Sequence, residues 1–349
     1  FEQGRPVIEA FRKACPGYKI LVTFFSPSGY EIRKNYPGAD YIFYLPPDTP
    51  RNVRRFMAIV RPKIAVFVKY EFWVNYLLAM KRAGTKLYLI SSIFRDGQIF
   101  FRPYGGLFRS ALRAFRHIFV QNDSSRNLLK SIGIEQVSVA GDTRFDRVYE
   151  IAQQAKRLPE IERFAADAPV FIAGSTWPPD EELLVGLIER YPDVKFIVAP
   201  HEIDPARIEK FCERISRPAL RYTQLTPQSD LAAAGVLFVD TIGILSSIYR
   251  YGRWGYIGGG FGAGIHNTLE AATFGLPLAF GPRYGKFREA RDLVTLRGAA
   301  SIASAEELER WFAGLHDDPD ATGRSGTICK EYVLQHKGAT ARIMDEICR

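Results

Sequence analysis

The stretch of this chain richest in chemical possibilities is Gly258-Gly259-Gly260-Phe261-Gly262-Ala263-Gly264-Ile265-His266-Asn267-Thr268-Leu269-Glu270. It follows an apolar, strand-like run, Trp254–Ile257, and opens a helical pattern, Thr268–Phe274. Glycines let backbone N–H groups approach a ligand closely, and a helix N-terminus favours negative charge. Asn267 or Thr268 can cap that helix. Glu270, one turn in, can accept hydrogen bonds from both hydroxyls of a ribose. Phosphate on the helix end together with ribose on Glu270 describes a nucleotide. The spacing is not G-x-G-x-x-G with an acidic residue about 20 positions on, so a dinucleotide is not indicated. A tight turn with a capping glutamate is the structural alternative.

Two more loops converge on the same edge. Ser175 and Thr176 follow the strand-like run Val170–Ala173 and precede an acidic helix start at Asp180, Glu181 and Glu182. Small hydroxyl residues there suit phosphate contact or an ordinary N-cap. His201, in Pro200-His201-Glu202, follows the run Lys195–Ala199. At a strand end it can donate to a phosphate or a base; a lone histidine is as often structural.

The elements that hold these loops alternate between short apolar runs and helical patterns. Strand-like runs at Lys19–Phe25, Tyr41–Leu45, Ile64–Val68, Lys86–Ser91, His117–Val120 and Val137–Ala140 predict one parallel α/β unit. The strandless, charged stretch Tyr149–Ala168 marks a boundary. The pattern restarts at Val170–Ala173, Lys195–Ala199, Val236–Val239, Trp254–Ile257 and Pro277–Phe280. A last helix is expected over Ile328–Cys348. The expected domains are 1–150, 151–335, and a C-terminal helix at 336–349 returning toward the first domain. Tandem open α/β units form a cleft, and ligands bind outside the carboxyl ends of their strands.

Charge is unevenly placed. Residues 1–150 hold 24 Lys and Arg against 12 Asp and Glu, a net +12; the remainder holds 23 against 26, a net −3. A basic N-terminal half implies an anionic partner, either a phosphorylated substrate or an acidic membrane surface. Nucleic acid is disfavoured, because the basic residues are scattered through folded elements with no lysine-rich tail or RNP-type motif. The four cysteines, Cys15, Cys212, Cys329 and Cys348, lie far apart in sequence without CxxC spacing, which argues against a zinc site or a disulfide framework. No apolar run reaches the roughly 18 residues of a membrane span.

The motifs resemble a known family across nearly the whole chain. Ser175-Thr176, Pro200-His201-Glu202, Asp240-Thr241, the glycine run and His266-Asn267-x-Leu-Glu270 resemble the C-terminal half of 3-deoxy-D-manno-oct-2-ulosonic acid (Kdo) transferases. Ser26-Pro27-Ser28-Gly29-Tyr30-Glu31, Tyr44-Leu45-Pro46-x-Asp48, Lys69-Tyr-Glu71-Phe-Trp73-x-Asn75 and Gly141-Asp142-Thr143-Arg144-Phe145-Asp146 resemble segments of the N-terminal half. Val74 stands where that family has proline, and Ser91-Ser92-Ile93-Phe94-Arg95 where Asn-x-Arg-x-Ser is usual.

The resemblance implies a GT-B fold: two Rossmann-like domains with parallel sheets facing a central cleft. It implies inverting transfer of Kdo from CMP-Kdo to a lipid A precursor, with no catalytic metal or cofactor, at the cytoplasmic face of the bacterial inner membrane. Near the glycine run there is no Asp-x-Asp metal motif. Donor contacts are expected at Ser175, Thr176, His201, Gly258, Gly259, Gly260, Asn267 and Glu270. Acceptor or sugar contacts are expected at Arg95, Ser28, Glu31, Lys69 and Glu71; a Lys69–Glu71 pair supporting the next helix is the alternative. The family's catalytic carboxylate closes a Ser-x-Gly-Glu motif that would fall immediately before Phe1, with the first strand and a membrane anchor, so no residue here is assigned as the base. Another GT-B enzyme, a UDP-sugar transferase or a nucleotide-sugar epimerase, is the competing reading.

Overall fold

The computed structural model describes residues 1–348; Arg349, the last residue of the expected 336–349 segment, lies outside the described residues. The chain forms two compact α/β units, the first from Phe1–Arg147 with the segment from His336 onward, the second from Val148–Gln335.

Unit 1 contains β1 (Leu21–Phe24), β2 (Tyr41–Tyr44), β3 (Ile64–Val68), β4 (Lys86–Ser92), β5 (His117–Val120) and β6 (Val137–Val139). The helices between and around them are α1 (Arg5–Ala14), α2 (Pro27–Arg33), α3 (Pro50–Val60), α4 (Val74–Arg82), α5 (Gly106–Leu112) and α6 (Asp123–Ser131), with α7 (Arg144–Gln153) leading out of the unit. All strand pairing is parallel, β1 with β2 and β3-β4-β5-β6 in a second sheet. Strand β4 is the most enclosed: Leu87 through Ser92 are buried, so it reads as a continuous apolar run, as a strand covered on both faces should.

Two family-like motifs prove to be internal braces. Asp48 caps α4, its carboxylate accepting from the N–H groups of Asn75 and Tyr76 at 3.1 Å each, while Asn75 Nδ2 donates to Asp48 O at 2.8 Å. Asp146 accepts from Gly338 N, Thr340 N and Thr340 Oγ1, which fixes the start of α16 (Ala339–Ile347). The expected single helix Ile328–Cys348 is therefore two. The chain breaks at Gly338, whose φ of 100° is readily available only to glycine, and α15 (Pro319–His336) ends just before it. Ile343 and Ile347 of α16 then pack with Val7, Tyr88, Ile90 and Phe119.

Unit 2 is a seven-stranded parallel sheet. Its strands are β7 (Val170–Thr176), β8 (Lys195–Pro200), β9 (Ala219–Arg221), β10 (Val236–Phe238), β11 (Trp254–Ile257), β12 (Leu278–Phe280) and β13 (Ala299–Ser301), in the order β13-β12-β11-β7-β8-β10-β9. Its helices are α8 (Pro159–Ala165), α9 (Pro178–Arg190), α10 (Pro205–Cys212), α11 (Leu245–Ile248), α12 (Thr268–Thr273), α13 (Arg288–Thr295), α14 (Ala305–His316) and α15. The edge strands β9 and β13 lie outside the sequence expectation; at three residues each they are too short to show a period. The core joins Phe171, Phe196, Phe238, Trp254, Tyr256 and Phe312. Strands β12, β11, β7 and β8 are neighbours, so the loops leaving their carboxyl ends share one edge of the sheet.

Candidate functional site

The glycine-rich segment leaves β11 and turns back into α12. Its glycines are needed first by the protein itself. A Cβ on Gly258 would lie 2.1 Å from Ser175 O, and one on Gly260 would lie 2.6 Å from the backbone of Gly281. Gly259 sits at φ 92°, with Gly264 O in the place a side chain would take. The glycines thus let the end of β7 and the loops after β11 and β12 press backbone to backbone. Two of the N–H groups expected to meet phosphate are committed internally: Gly258 N donates to Gly174 O and Gly259 N to Asp180 Oδ2, both at 2.9 Å. This corrects the sequence expectation that the backbone of all three glycines faces a ligand.

Asp180 organises this corner. It stands at the third position of α9 and is 1% exposed. Besides Gly259 it accepts from Trp177 N at 2.9 Å and from the Tyr256 hydroxyl at 2.7 Å. Burial, and then the Asp180 charge, push the Tyr256 phenol far above its usual range, so it remains a donor. The acidic helix start carried a signal for Asp180 as a capping residue, but not for its reach across to the glycine loop.

Ser175 and Thr176 divide. Ser175 has φ 55°, a left-handed conformation uncommon for a residue with a side chain, at a register shift where β7 meets β8. Lys69 (φ 59°) and Ser91 (φ 53°) repeat that conformation in unit 1, just after β3 and within the end of β4. Held strain of this kind collects at functional loops. Thr176 is fully buried and its hydroxyl donates to Glu181 Oε1 at 3.0 Å. The Thr176 hydroxyl is thus committed to Glu181, and it supports the loop from behind. Burial raises the Glu181 carboxyl pKa, outweighing the opposite pull of Arg207.

His201 comes from the end of β8 and joins a ring stack. Its centroid lies 4.8 Å from Trp177 and 4.2 Å from His266. Trp177 Nε1 donates to His266 Nε2 at 3.0 Å. Burial, then the neighbouring His201, lower the His266 pKa against the attraction of Asp180. Asn267 caps α12, its Oδ1 accepting from Leu269 N at 3.1 Å, and its Nδ2 donates to Glu270 Oε1 at 2.9 Å. Helix α12 has only six residues, so its dipole is short. Ser175 at the end of β7, His201 just after β8, and Gly260, Asn267 and Glu270 in the loop and helix that follow β11 thus come from three adjacent strands, β11, β7 and β8.

The five acceptor candidates occupy unit 1. Ser28 and Glu31 lie on α2, a helix begun by Ser26 as cap and Pro27 at the first position. Both are exposed, and Glu31 pairs with Lys34 at 2.7 Å. Glu71 is exposed and accepts from the Trp73 indole at 2.6 Å. Arg95 is exposed in the loop after β4, where its N–H donates to Gln98 Oε1.

The family model described as 3-Deoxy-D-manno-octulosonic-acid transferase (kdotransferase) matches residues 1–147. A 3-deoxy-D-manno-octulosonic acid transferase of Haemophilus influenzae is 23% identical over 361 residues, spanning 97% of this chain and 82% of the relative. One from Aquifex aeolicus is 25% identical over 306 residues, 86% of this chain and 78% of the relative. The chain is similar to Kdo transferases over most of its length. Its similarity to them therefore runs through both units. Among solved structures, UDP-GlcNAc 2-epimerase from Neisseria meningitidis bound to UDP-GlcNAc aligns with a TM-score of 0.69 at 16% identity, covering 99% of this chain and 96% of that one. That likeness speaks to the fold, which is GT-B: two Rossmann-like α/β units with parallel sheets.

Proposed function

We propose that this chain is a glycosyltransferase that moves Kdo from CMP-Kdo onto a lipid A precursor in lipopolysaccharide biosynthesis, with inversion and without a metal. The observation that carries the reading is the position of Glu270 and Asn267 beside the glycine loop, in a chain similar to Kdo transferases over 97% of its length. Glu270 holds the ribose. Gly260 and Ser175 approach the phosphate, with His201 and Asn267 assisting; Gly258, Gly259 and Thr176 shape the loop that presents them.

In the reaction a base takes the proton of an acceptor hydroxyl. The oxygen attacks the anomeric carbon, the bond from that carbon to the CMP phosphate oxygen breaks, and CMP departs with the negative charge. Hydrogen-bond donors fixed where that charge develops lower the barrier without reorganising. No residue from Phe1 onward is assigned as the base. Arg95, Ser28, Glu31, Lys69 and Glu71 meet the acceptor or the sugar acid. The net +12 of residues 1–150 suits a phosphorylated acceptor on an anionic membrane, and we place the protein as a peripheral component at the cytoplasmic face of the inner membrane. Among the described residues no helix is long and apolar enough to cross a membrane.

The test is a transfer assay with CMP-Kdo and a bis-phosphorylated disaccharide lipid A precursor, read by mass spectrometry. The reading predicts a product heavier by one or more Kdo residues, with release of CMP. Turnover of a UDP-sugar with CMP-Kdo left intact would replace it with the UDP-sugar alternative.

A further inference from the structure

His266 lies inside the glycine-rich segment, yet neither the composition of that segment nor the ribose argument gives it a task. Its surroundings do. Trp177, the residue just before α9, directs its indole N–H at His266 Nε2 at 3.0 Å, and the two ring planes lie within 7° of each other. His201 covers both rings on one side. The His266 backbone N–H donates to Gly258 O at 3.1 Å, and the absence of a side chain on Gly259 makes room for the imidazole, since a Cβ there would lie 3.0 Å from His266 Cδ2. The ring therefore has one position.

An indole N–H is only a donor. Its partner nitrogen must accept, so the proton of the neutral imidazole sits on Nδ1. A second proton, on Nε2, would set N–H against N–H. The ionisable groups facing the ring are His201, from the end of β8, and Asp180, from α9. His201, when charged, opposes a charge on His266; Asp180 favours one but is already shared among Gly259, Trp177 and Tyr256. Among the described residues Nδ1 has no hydrogen-bond partner, so it remains the ring's one unspent donor.

We infer that Trp177 is a positioning residue that locks His266 as the neutral Nδ1–H tautomer and so keeps an uncharged N–H donor ready at the glycine loop. Resting on the nucleotide reading above, that donor serves the phosphate of the nucleotide. A neutral donor gains strength as the phosphate oxygen takes on charge, yet it does not hold the departing nucleotide as tightly as a permanent cation.

The test is long-range proton–nitrogen NMR of the histidine rings in the nucleotide-free protein, with His266 assigned by its loss in His266→Gln. The inference predicts that wild-type His266 carries its proton on Nδ1 at pH 7. In Trp177→Phe, which keeps a stacked ring and loses the donor, the tautomers mix, the ring protonates at higher pH, and CMP affinity at pH 8 drops ~3–10-fold, the scale of one lost oriented donor. A wild-type ring protonated on Nε2 overturns the inference, whether or not Trp177→Phe folds. A Trp177→Phe protein with an unchanged tautomer also overturns it. An Nδ1–H ring in a protein that binds no CMP upholds the positioning by Trp177 and counts against the nucleotide reading alone.

Discussion

Asp180 Oδ2 accepts the backbone N–H of Gly259 at 2.9 Å, tying the first turn of α9 to the glycine loop that leaves β11. The same carboxylate holds Trp177 N and the Tyr256 hydroxyl, so three elements meet on one buried group. A nucleotide site built on this corner depends on a residue that need not touch the nucleotide.

Replacing Asp180 by alanine strands three donors in a water-poor interior. The expected cost is about 2–4 kcal/mol of unfolding free energy, because buried groups left without partners each cost roughly 1–3 kcal/mol and partly relax. Urea unfolding followed by circular dichroism measures it. Asp180→Asn keeps the volume but turns one oxygen into a donor facing other donors, and should lose CMP affinity even where the fold survives. A variant with wild-type stability and affinity would show that the carboxylate does not organise the loop.

The glycine loop offers a contrast within a few residues. Gly258→Ala places a Cβ 2.1 Å from Ser175 O and cannot be accommodated without moving the end of β7. Gly262→Ala meets nothing nearer than 3.7 Å. Nucleotide affinity should therefore collapse in the first variant, by ~100-fold or more if the displaced loop costs about 3 kcal/mol, and stay within about threefold in the second. Equal losses would mean that the loop acts through flexibility and not through packing.

Asp40 supplies a pH dependence in unit 1. It accepts from Ile20 N at 2.8 Å, Arg12 Nη2 at 2.8 Å and Lys19 Nζ at 3.2 Å. The Ile20 N–H first, then the Arg12 guanidinium, hold its pKa down to about 2. In the unfolded chain it returns to about 3.9. The folded pKa is depressed, so the stabilisation is fully present above the unfolded value and is lost as pH falls from there through the folded value. Thermal melts between about pH 5 and pH 3 should fall less steeply for Asp40→Asn than for wild type. Parallel slopes would rule out Asp40 as a source of the acid sensitivity.

Cys15 and Cys348 are 333 residues apart in sequence, and the spacing argument treats them as unrelated. The packing of α16 against α1 brings their Sγ atoms to 3.8 Å. A change of rotamer can bring them to the ~2.05 Å of a disulfide. With excess glutathione disulfide, two thiols should close to one disulfide, releasing two reduced glutathione molecules and lowering the intact mass by two hydrogens. Cys329 is buried, with its thiol pushed up to about 12 by burial, and should not react. Glutathione retained separately on Cys15 and Cys348 would contradict the pairing.

The sequence carried the main lines of both units, because parallel strands covered on two faces are apolar runs separated by amphipathic helices. What it hid follows from the same physics. Strands β9 and β13 are too short to show a period, and Gly338 breaks a helix that the apolar pattern carries straight through. Asn267 as the cap of α12 was legible, because a capping residue type stands between the glycine run and a helical pattern. The division between Ser175, which lines the loop, and Thr176, which is buried behind it, was not, since adjacent residues at a register shift share one motif. Nor could spacing alone show that Asp180, 79 positions before Gly259, would take that residue's N–H.

The central claim is a cytidine nucleotide site in unit 2 with Glu270 on the ribose, and titration calorimetry tests it most directly. Wild type and Glu270→Ala would each be titrated with CMP, UMP and UDP. The account predicts binding selective for CMP in wild type and its loss in Glu270→Ala. Selective binding of UDP, or CMP binding unchanged in the variant, would contradict it.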